Sequence, residues 1–282
     1  MILEFVVGGA LVGFVVGATG VGGGSLMTPL LTLAFGVPAP VAVGTDLLFA
    51  SITKAGGAWT YARRGLVQWS ITGWLVLGSL PAALATLAAI RLWHPDAAQF
   101  ASLVRPALAA ALLLTALALV FKARIQALGR QFSLARPGAA RVVLSGAAST
   151  AGSGLSVPVP VENPSRPVPT VVLGAVIGAL VTLTSVGAGV IGVVALFFLY
   201  PALPARRLVA ADIAHAVPLT LVAGLGHASL GTVDWSMLGA LLIGSLPAIT
   251  VGALVAERLP ERTLRTFLAG MLVLIGARLL AI

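Results

Sequence analysis

The sequence predicts an all-helical membrane protein made of two inverted repeats, each a broken re-entrant helical hairpin followed by three spanning helices. The first observation behind this prediction is composition: of 282 residues, 59% are hydrophobic and 9% charged, with a mean hydropathy of +1.09. Such a chain is far more apolar than a soluble domain. The other two observations are the division of the chain into apolar blocks and the similarity of its two halves.

Eight apolar blocks follow one another along the chain. Six have the length of one helix across a bilayer, about 20 to 25 residues. They are 41–62, 66–90, 98–121, 207–228, 235–256 and 262–282. Blocks 2–35 and 170–200 are too long for one straight span, so each is expected to contain a break.

A polar segment that ends in "SGLSVPVPVENPSRPVP" divides the chain into repeat 1 (1–121), a cytoplasmic linker (122–169) and repeat 2 (170–282). A shift of 165 residues places "GALVGFVVGATGVGGG" on "GAVIGALVTLTSVGAG". A shift of 166 places Asp46 on Asp212 and the first "GSLPA" on the second. A match over so long a stretch indicates an ancient duplication.

Basic residues predict how the repeats are oriented, because cytoplasmic loops carry an excess of Lys and Arg. If each long block spans once, the repeats are parallel and the two sides carry nine and seven basic residues. If each long block is a hairpin, the second repeat is inverted and the sides carry thirteen and three. The thirteen are Arg63, Arg64, Lys122, Arg124, Arg130, Arg136, Arg141, Arg166, Arg206, Arg207, Arg258, Arg262 and Arg265, and the three are Arg91, Arg105 and Arg278. The inverted arrangement is therefore favoured.

The hairpin tips are predicted to be "TGVGGG" (19–24) and "TSVGAG" (184–189). Non-helical backbone at membrane depth is tolerated where protein or a cavity covers it, and transporters place it at the substrate site. Backbone N–H groups of such tips, together with the N-termini of the following helices, would bind an anion. The candidate binding residues are Thr19, Gly20, Val21, Gly22, Gly23, Gly24, Ser25, Thr184, Ser185, Gly187 and Gly189.

Two other roles are open for the tip residues. The glycines could serve helix packing, a role that the four-residue spacing of Gly9, Gly13 and Gly17 also indicates. The hydroxyl groups could satisfy their own local backbone instead of a ligand.

Lys54 is the only lysine inside a predicted span. It lies nine residues, roughly 13 Å, before Arg63, too far for its ammonium to reach the interface easily. We expect it to contact an anionic substrate, with an ion pair to another helix or snorkelling as alternatives. Ionisable groups inside a membrane are functional candidates by default.

Asp46 and Asp212 occupy equivalent positions, and His215 lies one helical turn after Asp212. Each aspartate could hold a hairpin tip in place, or could take part in coupling. His215 could contact substrate or carry a proton, because histidine titrates near neutral pH. Repeat 1 has Phe49 in place of His215, and repeat 2 has Thr220 in place of Lys54, so an asymmetric function would depend on these pairs.

No pattern predicts an enzyme, a cofactor or a metal site. The three histidines lie on separate segments, cysteine is absent, and "GVGGGS" lacks the Lys-Ser/Thr end of a phosphate-binding loop. The net charge of +9 comes from residues between apolar blocks, so nucleic acid is not an expected partner. The expected partners are a small anion and the lipid bilayer, with proton coupling and homo-oligomer formation left open.

The stretches "GVGGGSLMTPLL" and "AVGTDLLFASITKAGGAWTYARRGLVQW" resemble the sulfite exporter TauE/SafE family of membrane permeases. The resemblance implies a secondary transporter that moves sulfite or an organosulfonate across the bacterial inner membrane. Many members read Gly-Thr-Ser where this chain has Gly44-Thr45-Asp46. The alternatives are a cation transporter that uses Asp46 and Asp212, and an accessory membrane protein without transport activity.

Overall fold

The computed structural model describes residues 2–19, 24–93, 96–134, 166–186, 189–256, 266, 269–270 and 272–278. Within these ranges every regular element is an α-helix, which confirms the predicted all-helical class. The helices are α1 (Ile2–Thr19), α2 (Gly24–Leu33), α3 (Ala39–Arg63), α4 (Trp69–Trp93), α5 (Ala97–Leu134), α6 (Pro167–Thr184), α7 (Val190–Leu199), α8 (Ala205–Ser229) and α9 (Trp235–Ala256). Residues 272–278 are also helical.

Five helical stretches in the described part of the chain are long and apolar enough to cross a bilayer. They are Trp69–Trp93, Ala98–Leu117, Pro167–Thr184, Ala205–Ser229 and Trp235–Gly252. Helix α5 continues to Leu134 and α6 begins at Pro167, so helix extends into both ends of the predicted 122–169 linker. The remainder of that linker lies outside the described residues.

Both long apolar blocks are broken helices that double back. The rings of Phe5 and Phe35, at the start of α1 and just after α2, lie 5.3 Å apart in an edge-on contact. At the equivalent place in repeat 2, the hydroxyl groups of Thr170 and Tyr200 lie 2.7 Å apart. The chain therefore leaves each block beside the point where it entered, as the hairpin prediction requires.

Helices α3 and α8 have the same length, with a proline before each and a glycine after each. Pro38 and Pro204 stand immediately before them, and proline is favoured at helix starts because no intrahelical acceptor exists there for its missing N–H. Gly65 and Gly231 follow their ends with φ of 63° and 74°, in the left-handed region that glycine enters without steric cost. These shared boundaries give the two helices matching positions in their repeats.

Glycine faces join each hairpin to the other repeat. In α1, Gly9, Gly13 and Gly17 lie directly on the backbone of α9, at Leu241, Ser245 and Ile249. The equivalent glycines of α6, Gly174 and Gly178, lie on the backbone of α4 at Leu75 and Ser79. This close approach confirms the packing role predicted for Gly9, Gly13 and Gly17, and shows that the contact is made reciprocally between the halves.

Helices α3 and α8 pack against each other in opposite directions. Gly44 lies against His227, Leu48 against Gly224, and Ser51 against Val217. The largest hydrophobic cluster surrounds α3 and includes Leu47 and Phe49. Equivalent helices that cross antiparallel support an inverted relation between the repeats, which stays a prediction because it refers to the plane of the membrane.

Candidate functional site

Four ionisable side chains lie where α3 and α8 cross, and we call them the central site. Asp46 and Lys54 come from α3, and Asp212 and His215 come from α8. The Ser51 hydroxyl, three residues before Lys54, donates a 3.4 Å hydrogen bond to the Val217 carbonyl of α8. This hydrogen bond joins α3 to α8 one helical turn before Lys54.

Lys54 is half-buried and interacts electrostatically with both Asp212 and Asp46. The amine of Lys54 therefore lies within electrostatic reach of two carboxyl groups. The interaction with Asp212 joins two helices, which is one of the roles predicted for Lys54. The second predicted role, contact with an anionic substrate, stays a prediction.

Asp46 is held by the first hairpin. Its side chain is fully buried, and its Oδ2 accepts a 2.5 Å hydrogen bond from the Thr28 hydroxyl of α2. The Ser185 side chain, at the second hairpin tip, also lies close to Asp46. Asp46 therefore contacts both hairpins, and its predicted role in architecture or coupling stays a prediction.

Asp212 has a different environment, although it is the repeat equivalent of Asp46. It is 1% exposed, and among the described residues neither of its carboxylate oxygens accepts a hydrogen bond. Its Oδ1 lies against Gly192, in the first turn of α7. The residue equivalent to Thr28 is Val193, which has no hydroxyl group to donate.

His215 is fully buried, and its Nε2 lies 2.8 Å from the Ser79 hydroxyl of α4. Its Nδ1 has no hydrogen-bond partner within the described structure. His215 is also close enough to Lys54 to interact electrostatically with it. The imidazole is thus held by α4, and one of its nitrogens remains available for another ligand.

Of the predicted residues of the second hairpin tip, Ser185 reaches the central site, where its side chain lies close to Asp46. Ser185 adopts a left-handed backbone conformation with φ of 57° at the end of α6, and its buried hydroxyl makes no hydrogen bond in the described structure. Gly189 forms the N-cap of α7 with φ of 141°. The Thr184 hydroxyl is instead used locally, since it bonds to the Leu180 carbonyl at 2.8 Å and to the Val186 backbone.

The first hairpin tip is described only in part. Gly20, Val21, Gly22, Gly23 and, from the second tip, Gly187 lie outside the described residues. Gly24 is the first residue of α2. Thr19 and Ser25 are described as helical backbone alone, so their predicted contacts with a ligand stay predictions.

Sequence reasoning missed two residues that contact the central site, Thr28 and Ser79. Thr28 bonds to Asp46, and Ser79 bonds to His215. Ser79 lies in the first "GSLPA" copy, which had served only as a marker of the repeat. For Thr28, the available sequence signal is a difference between the repeats, because the equivalent residue of repeat 2 is Val193.

Asp234 caps helix α9 outside the spanning stretch. Its Oδ1 accepts hydrogen bonds from the Met237 backbone N–H at 2.9 Å and the Ser236 hydroxyl at 2.7 Å. These bonds lower the pKa of the Asp234 carboxyl below its usual value, the Met237 bond having the larger effect. His227 has a similar structural role, because its ring nitrogens contact Thr232 and the Thr182 carbonyl.

Comparisons with known proteins agree on one class. A family model described as Sulfite exporter TauE/SafE matches residues 5–279. The chain is 31% identical over 280 residues to the Probable membrane transporter protein YjnA of Bacillus subtilis (strain 168), covering 99% of this chain and 100% of the relative. It is 27% identical over 258 residues to the Probable membrane transporter protein YdhB of the same organism, covering 91% of both chains. No solved structure matches the chain significantly.

Proposed function

Because the chain belongs to the sulfite exporter TauE/SafE family of membrane transporters, we propose that it carries a small sulfur-containing anion, sulfite or an organosulfonate, across the bacterial inner membrane by alternating access. The family consists of membrane transporters rather than enzymes. The chemical identity of the cargo, the location in the inner membrane and the transport mechanism are parts of the proposal.

The observation that carries the proposal is the position of Lys54 at the helix crossing, within electrostatic reach of Asp212 and Asp46. Lys54 is half-buried, and the unbonded Ser185 hydroxyl of the second hairpin tip lies close to Asp46. The first turn of α7 begins after Gly189 and offers N–H groups that lack intrahelical acceptors. A sulfite or sulfonate group has three oxygens that could accept from an ammonium, a hydroxyl and a helix N-terminus.

The packing of the hairpins supports alternating access. Each hairpin packs its glycine face against a helix of the other repeat, α1 against α9 and α6 against α4, with glycine in contact with backbone. The central site lies on the pair α3 and α8, which crosses between these two hairpin bodies. Rocking of one body against the other would expose the site to either side in turn.

The test is ligand-dependent thermal stabilisation of the purified protein, since a ligand that binds only the folded state raises its melting temperature. The panel contains sulfite, ethanesulfonate and a matched carboxylate, propionate. We expect one sulfur anion to raise the melting temperature. We also expect Lys54→Met to weaken its binding about tenfold or more, because a hydrogen bond to a charged group contributes about 1.5–3 kcal/mol.

The matched control is Arg64→Met, which removes one positive charge at the exposed end of the same helix. It should bind the anion as tightly as the wild type. Equal losses of binding in Arg64→Met and Lys54→Met would mean that net charge, and not the central site, attracts the anion.

A second candidate function is favoured by the unbonded carboxylate oxygens of the central site. Asp46 Oδ1 and both oxygens of Asp212 accept no hydrogen bond among the described residues, so a cation could bind there. Stabilisation by mono- or divalent cations, abolished in the double variant Asp46→Asn with Asp212→Asn, would support cation transport instead. Absence of any flux after reconstitution of folded protein would indicate an accessory role.

A further inference from the structure

We propose that Asp212 carries a proton that moves together with the anion, whereas Asp46, its repeat equivalent, serves to hold the two hairpins. This inference rests on the proposed anion transport and adds its coupling. It assigns different tasks to two residues that the duplication made equivalent.

The two aspartates differ in the hydrogen bonds that their carboxyl groups accept. Asp46 receives a short hydrogen bond from Thr28, which stabilises its ionised form and ties it to α2. Asp212 is equally buried, but Val193 stands where a hydroxyl donor would be, and its two oxygens accept no hydrogen bond in the described structure. A buried carboxylate without donors is costly, and binding a proton removes that cost.

The charge of the central site depends on the proton of Asp212. With Asp46, Asp212 and Lys54 all ionised, the three groups sum to a net charge of −1, which repels an anion. Protonation of Asp212 removes this excess and withdraws one of the two carboxylates that interact with Lys54. The ammonium can then turn towards an anionic substrate. Proton binding and anion binding therefore favour each other, and the coupling is reciprocal.

The electrostatic environment of Asp212 depends on the charged and titratable groups of the helices around it. Lys54 of α3 interacts with Asp212 directly, and Asp46 of α3 and His215 of α8 interact with the same lysine. The other such groups of these two helices lie near helix ends: Tyr61 and Arg63 in α3, and Arg206, Arg207 and His227 in α8. Helices α6 and α7, which also pack against α8, contain no titratable side chain, and α4 has only Arg91 in its last turn. His215 is already bonded to Ser79, which leaves Asp212 as the group whose charge is least satisfied by its neighbours.

The transport step is a simple transfer. Asp212 takes a proton from water on one side while the anion binds near Lys54, the loaded site passes to the other side, and Asp212 returns the proton to water there as the anion leaves. No covalent bond other than the O–H bond forms or breaks. One proton accompanies each anion.

The experiment uses the full chain in proteoliposomes with pyranine, a pH-sensitive dye, inside. Ethanesulfonate is the preferred probe because its charge does not change with pH, and sulfite is measured in parallel. Net uptake is driven by an acidic exterior, and anion exchange is measured separately at equal pH on both sides. For the wild type we expect both activities, with internal acidification during net uptake.

The variant Asp212→Asn is permanently neutral at this position. We expect it to keep exchange within a few-fold of the wild type, because exchange requires no release of a proton, and to lose net uptake at least tenfold. Asp46→Asn removes the negative charge that strengthens the hydrogen bond from Thr28 and should lower thermal stability, while its uptake still responds to the pH gradient. Gradient-driven uptake with proton movement in Asp212→Asn would overturn the inference.

Two further measurements keep the test decisive if Asp212→Asn does not fold. Wild-type uptake without any pyranine signal would overturn the inference directly. In the wild type we expect ethanesulfonate affinity to fall as rising pH removes the proton from Asp212. Val193→Thr supplies the hydroxyl donor that repeat 1 has, which stabilises the ionised carboxylate. We expect the fall in affinity to occur at lower pH in this variant. Failure of the wild type to move either anion would instead refute the proposed function.

Discussion

Ser185 has an uncommon backbone conformation for a residue with a side chain. Its φ of 57° lies in the left-handed region, which costs a non-glycine residue on the order of 1 kcal/mol. The equivalent residue in repeat 1 is Gly20, which has no such cost. We therefore expect the hydroxyl of Ser185 to contribute to the central site.

Two variants separate the strain from the hydroxyl. Ser185→Gly should raise the free energy of unfolding by about 1 kcal/mol because it relieves the strained conformation. Ser185→Ala keeps the strain and should leave stability near that of the wild type. Both variants lose the hydroxyl, so both should bind the sulfur anion several-fold more weakly in the thermal-shift assay. Unchanged affinity in both would show that Ser185 does not contact the anion.

Residues of the central site differ in how far the sequence could predict them. Lys54 and Asp212 could be identified because a charge within an apolar block is conspicuous by itself. Thr28 and Ser79 could not, because their importance comes from partners brought close by folding: Asp46 lies 18 residues from Thr28, and His215 lies 136 residues from Ser79. A hydroxyl within a helix otherwise bonds to its own backbone, as Thr184 does.

At the scale of helices, the small-residue faces of α1 and α6 determine the packing. Between transmembrane helices there is little hydrophobic driving force, so close contact depends on residues that let backbones approach. The spacing of Gly9, Gly13 and Gly17 predicted such a face, but not its partner. The partner, α9, is distant in sequence, and a glycine pattern carries no information about which helix it contacts.

A pair of glycine substitutions tests this packing. Gly13→Ala would place a Cβ 2.6 Å from the Ser245 carbonyl oxygen, and forcing the helices apart should cost about 1–3 kcal/mol of stability. The control is Gly73→Ala, an exposed helical glycine with open space around its Cα, which should be neutral or slightly stabilising because alanine favours helix. Thermal unfolding in detergent measures both. Equal melting temperatures would contradict the packing role.

At the scale of the whole molecule, the charge distribution and the helix crossing lead to the same arrangement. The positive-inside count favours inverted repeats, and the antiparallel contact of α3 with α8 gives equivalent helices opposite directions. Neither observation depends on the other. Together they predict that matching loops of the two repeats face opposite sides of the membrane.

The absence of cysteine from the chain makes this prediction easy to test with single-cysteine variants. Arg64→Cys and Ser229→Cys lie at exposed ends of α3 and α8, at nearly equivalent positions. In intact cells a membrane-impermeant maleimide should label only Ser229→Cys, and permeabilised cells should show labelling of both. Labelling of both variants in intact cells would contradict the inverted arrangement.

The reciprocal glycine contacts also have a consequence for biosynthesis. Helix α1 is synthesised before α9, yet the surface that receives its glycine face belongs to α9. Until α9 is made, that face is covered by lipid or by the insertion machinery and not by its partner helix. A ribosome that stops before α9 therefore releases a fragment with an unpaired association surface, a natural substrate for membrane quality control.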